Sequence, residues 1–191
     1  MQTILDLRPS LELNDYQFAQ ICQRNPDLKF ERTATGELVI VALTGGNTGR
    51  RNLKLSGRLL FWIESTGNGE GFDSSTGFKL PDDSIRSPDA AWISTPRWQN
   101  LTPEQQQKIV PLCPDFVVEL RSASDDLRDL QRKMQVYLNN GLQLGWLLDP
   151  ETQMVEVYRS NQEVEILTNP DRLSGAEILP GFVLDLNGIL R

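Results

Sequence analysis

The stretch PDFVVELRSASDDLRDLQRKMQVYLNNGLQLGWLLDP, residues 114–150, decides the fold. From Asp115 to Leu120 the chain is β-branched and apolar, which predicts a buried strand. Ser124 then stands as a helix cap, with Asp125 and Asp126 in the first turn, where the helix dipole favours acids. Leu127, Leu130, Met134 and Leu138 recur at helical spacing as a core stripe. The helix runs to Asn140, and Gly141 ends it. Leu144 to Leu148 is a second apolar strand, closed by Asp149-Pro150. Strand, helix, strand reads as a βαβ-like unit.

Hairpins flank this unit on both sides. Upstream, Asn14 or Asp15 caps a short helix over 14–24. Two strands, Phe30–Arg32 and Glu37–Leu43, are joined by the turn Thr33-Ala34-Thr35-Gly36. The loop Thr44-Gly45-Gly46-Asn47-Thr48-Gly49 opens a helix of about 50–65 by its hydrophobic period, in which Leu55, Leu59, Trp62 and Ile63 form the apolar stripe. Residues 67–79 suggest a hairpin edge, 89–94 a short strand, and 103–108 a helix capped by Thr102 with Pro103 at its first position. Downstream, Met154–Tyr158 alternates, as do Val164 and Ile166, which predicts an antiparallel continuation, and Phe182–Leu186 reads as a final docked piece. The expectation is one α/β (α+β mixed) domain over 1–191, a mixed β-sheet flanked by helices with additional hairpins.

Composition narrows the chemistry. The 191 residues contain no histidine, so mechanisms built on imidazole are excluded. Two cysteines, Cys22 and Cys113, are too few for a disulfide framework or a cysteine zinc site. A net charge of −7 argues against non-specific coating of nucleic acid, though not against local basic contacts. No apolar run approaches the ~20 residues that span a bilayer. The N-terminus lacks the basic and apolar regions of a signal peptide, so a cytoplasmic protein without membrane association is expected.

Within apolar runs stand two acids, Asp89 in SPDAAWI (87–93) and Glu119 in PDFVVELR (114–121). Burying an unpaired carboxylate is costly, so each implies a partner. Strand alternation puts Val117, Glu119 and Arg121 on one face. Lys133 lies about 60° around the following helix from Leu130, and Tyr137 follows one turn on. Its aliphatic stem can pack there while its ammonium reaches a cleft. Two oxygen-donor acids suit Mg²⁺, and a nearby lysine can orient or deprotonate water or stabilise charge on a phosphoryl group. A purely structural reading has Glu119 paired with Arg121, Asp89 capping a turn after Pro88, and Lys133 on the surface. Arg50, Lys54 and Arg58, with Arg51 beside them, line a second helix face, either a solvated surface or a ridge that tracks phosphates.

The blocks PDFVVELRSASD (114–125), Lys133-Met134-Gln135 with Tyr137, Asn140-Gly141 and GWLLDP (145–150) closely resemble the Uma2 family, restriction-endonuclease-like proteins abundant in cyanobacteria. Upstream, GELV (36–39), TGGNTGRRN (44–52) and SPDAAW (87–92) look like further family blocks. The resemblance implies a PD-(D/E)xK nuclease core with a metal site at one edge of the sheet. Asp89 then matches the first acid and Glu119 the second, both as ligands of Mg²⁺ or Mn²⁺ together with the Leu120 carbonyl. The lysine usual two residues after the second acid is replaced by Arg121, and Lys133 on the next helix takes its place. Arginine stays charged and cannot act as a base, but it can bind phosphate. Glu37 is a further candidate acid, with an ordinary hairpin role as the alternative. A histidine often seen near the start of the helix in this family is absent, and Thr48 or its neighbours stand there.

The implied activity is metal-dependent endonucleolytic hydrolysis of DNA. Arg121, Arg50, Lys54 and Arg58 would contact phosphates, and the expected assembly is a homodimer. Two other readings remain: an inactive nuclease fold that binds nucleic acid or protein, and a self-associating domain using an exposed Trp98 or Phe72.

Overall fold

The computed structural model describes every residue except Met1 and Glu177, and the backbone but not the side chain of Gln2. It is a mixed α/β fold with two principal sheets. The five-stranded sheet comprises β1 (Gln2–Leu5), β2 (Lys29–Arg32), β3 (Leu38–Val41), β5 (Phe78–Lys79) and β6 (Ile85–Arg86), in the order β1-β3-β2-β6-β5. The six-stranded sheet comprises β4 (Glu70–Asp73), β7 (Ala90–Ile93), β8 (Phe116–Leu120), β9 (Leu144–Asp149), β10 (Met154–Arg159) and β11 (Glu165–Thr168). Its order is β11-β10-β9-β8-β7-β4.

The expected strand–helix–strand unit is present. β8 runs parallel to β9, with Glu119 opposite Leu147, and the crossover helix is α5 (Leu127–Asn139). Alternation along β8 divides the core. Phe116, Val118 and Leu120 face Leu55, Leu59 and Trp62 of α2 (Gly46–Thr66) and the C-terminal residues Phe182 and Leu184. Val117 faces Leu130, Met134 and Tyr137 of α5. Glu119 shares the α5 face, which places a carboxylate inside that layer.

The two sheets meet at one short segment. β6 ends at Arg86 in the five-stranded sheet and β7 begins at Ala90 in the six-stranded one. Ser87-Pro88-Asp89 is therefore the crossing point, and Asp89 sits at the seam.

Several local expectations differ from the structure. Residues 67–79 do not form a hairpin. β4 pairs with β7 and β5 pairs with β6, so this stretch passes from one sheet to the other. Ser124 does not cap α5. Asp126 does, accepting from Arg128 N, while the Asp125 carboxylate binds back to Ser122 in the preceding turn. Phe72 and Trp98 are half-buried rather than exposed, packed against each other with centroids 5.2 Å apart at the edge of the second core. β1 was not foreseen, nor was β12 (Arg172–Ser174), which pairs with β13 (Val183–Asp185). The N-terminal hairpin is as expected, with Gly36 at φ +86 in its turn. Helix α1 (Asp15–Arg24) has the Asn14 cap.

Candidate active site at the seam of the two sheets

Four elements meet around one small cavity. From β2 comes Glu31, from β8 Glu119, from the seam Asp89, and from α5 Lys133. Lys133 Nζ lies 2.8 Å from Glu31 Oε1 and 2.8 Å from Glu119 Oε1. It also donates to the Ser87 carbonyl at 3.2 Å. All three charged side chains are buried. The Tyr137 hydroxyl, one turn on, donates to Glu119 Oε1 at 3.1 Å. Asp89 is held by neutral donors, the Asn52 amide at 3.0 Å and the Leu120 backbone N–H at 2.8 Å. Leu120 thus reaches Asp89 through its amide. Lys29, two residues before Glu31 on the same strand face, donates to the Ser87 carbonyl at 3.2 Å. Arg86 Nη1 bonds Glu31 Oε2 at 3.3 Å, and Ser87 N donates to Glu31 Oε1 at 3.1 Å.

These contacts set the protonation states. Burial pushes the Glu119 carboxyl up to about 7, with Lys133 only partly offsetting it and Asp89 and Glu31 adding repulsion. Burial also raises Asp89, against the Leu120 amide and the two lysines. Burial works to raise Glu31 as well, but Lys133, Arg86 and Lys29 outweigh it and hold the acid below its usual range. Lys133 resists the downward pull of burial because Glu119 and Glu31 flank it, so its pKa lies above the ordinary lysine value. Lys29 goes the other way. Burial and the neighbouring Lys133 lower it, and the carboxylates do not fully compensate.

A cavity of about 50 Å³ opens at this cluster, lined by Lys29, Glu31, Ser87, Asp89, Glu119 and Lys133 among others. It has room for ordered water. A larger cavity of about 540 Å³ shares Leu43, Ser122 and Ser124 with it and is bordered by Arg51, Arg121 and the start of α2.

The donor set fits a divalent cation. Among the described residues, no three His, Cys, Asp or Glu side chains gather as a ready metal cluster, because Glu31 and Glu119 converge on the ammonium instead. Mg²⁺, however, needs only one or two carboxylates with waters. The hydrogen bonds to Glu119 fall on Oε1, leaving Oε2 without one among the described residues. Asn52 Oδ1 is buried beside Asp89 without a partner. Two carboxylates raised by burial, with Glu119 Oε2 and Asn52 Oδ1 unbonded among the described residues and both Asp89 oxygens held by neutral donors, are chemically compatible with a hard cation.

The remaining candidates lie elsewhere. Arg121 does not pair with Glu119. It binds Asp149 at 2.8 Å and Glu151 at 3.1 Å, on the rim of the larger cavity. Glu37 accepts from the Thr33 and Thr35 hydroxyls at 3.0 and 3.1 Å in the hairpin turn, outside the cluster. Arg58 binds the carbonyls of Asp185 and Asn187, and the Lys54 ammonium packs against Gly188. Both tie α2 to the C-terminal segment. Arg50 is exposed.

Glu31, Lys29 and Asn52 were missed. Lys29-Phe30-Glu31-Arg32 is too polar to mark a buried acid, although alternation does pair Lys29 with Glu31. Asn52 carried a stronger signal. It lies at helical spacing on the core stripe of α2, one turn from Leu55 and two from Leu59. A polar residue on that stripe needs a buried partner, and Asp89 is that partner.

A model of the Uma2 family, described as "Putative restriction endonuclease", matches residues 15–187. No curated protein matches the chain. Among solved structures, it is similar to the crystal structure of a putative nuclease belonging to DUF820 from Anabaena variabilis. The TM-score is 0.72 at 20% identity, covering 84% of this chain and 89% of that chain. At that identity the likeness speaks for the fold.

Proposed function

Since the chain belongs to the Uma2 family of restriction-endonuclease-like proteins, we propose that it is an endonuclease that hydrolyses DNA phosphodiester bonds with a divalent metal, Mg²⁺ or Mn²⁺. The observation that carries this reading is the convergence of Asp89, Glu119 and Lys133 on one small cavity at the seam of the sheets. Asp89 and Glu119 would hold the metal. When bound, such a cation supplies Lewis-acid charge to a phosphoryl oxygen.

The chain's own residues divide the remaining work. Lys133 keeps its proton between two carboxylates, so it serves as a fixed positive charge toward the negative charge that develops on phosphorus. It is not the base. Lys29 lines the same cavity with its proton held more loosely, and in its neutral amine form it would accept the proton that the attacking water loses. Tyr137 and Glu31 hold Glu119 and Lys133 in place. Asn52 fixes Asp89. Arg51, bordering the adjoining cavity, takes a flanking phosphate, while Arg121 on the same rim is ion-paired with Asp149 and Glu151, and Arg58 and Lys54 are engaged with the C-terminus. The acting form is a homodimer, which brings two sites to a duplex.

The test is cleavage of plasmid and single-stranded DNA in Mg²⁺ or Mn²⁺ by wild type and by Asp89→Asn. Wild type should cut and Asp89→Asn should not. A wild type that binds DNA but cuts nothing with either ion would favour the second reading, a binding module. One observation leans that way: Lys133 already neutralises Glu119 within an ion-paired cluster.

A further inference from the structure

Helix α2 presents two apolar stripes. One, with Leu55, Leu59 and Trp62, packs into the core. The other lies on nearly the opposite side by helical rotation and faces open space. Leu53 is 75% exposed, Leu60 52% and Phe61 74%. Gly57 sits in the middle of this stripe, with nothing within 4 Å of where a Cβ would stand. Large apolar groups left together on a surface mark an interaction site.

The two ends of the stripe mirror each other about Gly57: Leu53 and Phe61 lie four residues to either side, and Arg50 and Glu64 lie seven residues to either side, while Leu60 mirrors Lys54. Two copies of α2 crossing antiparallel at Gly57 bring Leu53 of each onto Phe61 of its mate. At the two ends Arg50 meets Glu64, opposite charges at both. A glycine at the crossing lets the backbones approach closely, and a two-fold axis there makes the surface match itself.

We propose that this face of α2 is the interface between two copies of the chain, packed antiparallel about Gly57. The pairing of basic residue with acid at mirrored positions points to a second copy rather than an unrelated partner. The inference specifies the surface for the homodimer reading given above.

Light scattering of the full chain over a range of concentrations tests it. Wild type should be dimeric, and Phe61→Glu monomeric with an unchanged circular dichroism spectrum, since the side chain is exposed. Arg50→Glu alone sets like charges at both ends and should weaken the dimer about tenfold. Adding Glu64→Arg should restore it. A wild type that stays monomeric overturns both the interface and the dimer. A Phe61→Glu protein that stays dimeric overturns this interface alone and leaves the dimer standing. A monomeric Phe61→Glu protein whose charge-swapped counterpart fails to recover dimer formation overturns the antiparallel register.

Discussion

Lys133 Nζ stands 2.8 Å from Glu31 Oε1 and 2.8 Å from Glu119 Oε1, so a single ammonium joins the five-stranded sheet to the six-stranded one. Its removal is expected to be felt in the fold as well as in the proposed chemistry. Lys133→Ala leaves two buried carboxylates without their counter-charge and is expected to destabilise by about 3–5 kcal/mol. Urea unfolding of the metal-free protein measures this. A loss below about 1 kcal/mol would mean that the pair is not buried in solution.

Glu31 and Glu119 touch the same lysine but differ in protonation. Glu119 is raised from 4.5 to about 7 by burial, so the folded state binds its proton more tightly than the unfolded chain. Between pH 4.5 and 7 the folded state then carries more protons, and this group's contribution to stability falls as pH rises. Glu119→Gln removes that term. In metal-free buffer the melting temperature of the mutant should gain on wild type as pH goes from about 5 to 8 by this linkage. A constant difference across the range would show that Glu119 titrates as an ordinary carboxylate.

The division between the two lysines has its own signature. With Lys29 as the proton acceptor, the cleavage rate should rise with pH through its lowered pKa and then level off. Lys29→Arg keeps a charge that cannot be lost. That variant should bind DNA normally and cut at least about a hundredfold more slowly at every pH, the range typical of a lost general base. An unchanged pH profile in Lys29→Arg would return the base role to another group.

Arg58 was expected on a phosphate-binding ridge, yet its guanidinium bonds the carbonyls of Asp185 and Asn187. Arg58→Ala should therefore lower stability by about 1 kcal/mol, as hydrogen bonds of this kind do, and leave DNA affinity alone. Arg51→Ala, beside the larger cavity, should weaken binding and flatten its salt dependence. Equal affinity losses in the two variants would restore the ridge.

The βαβ unit was legible because its strands are buried on both faces and its helix has a single apolar stripe. Asp89 and Glu119 stood out because their neighbours are apolar. Glu31 did not, because its neighbours Lys29 and Arg32 are charged and its burial depends on β3 and β6 pairing on either side. The passage of residues 67–79 between two sheets was also unreadable, since the turn chemistry of a crossing and of a hairpin is alike. The fate of Arg58 lay in the C-terminal segment, more than a hundred residues away in sequence.

Phosphodiester cleavage by the wild type beside Lys133→Met, with Mg²⁺ or Mn²⁺ and with folding confirmed for each, tests the active-site assignment most directly. Lys133→Met keeps the aliphatic stem and removes the charge. The wild type should nick plasmid DNA only with metal, and folded Lys133→Met should bind DNA while losing cleavage. Equal activity in the two proteins, or cleavage that persists in chelator, would contradict it.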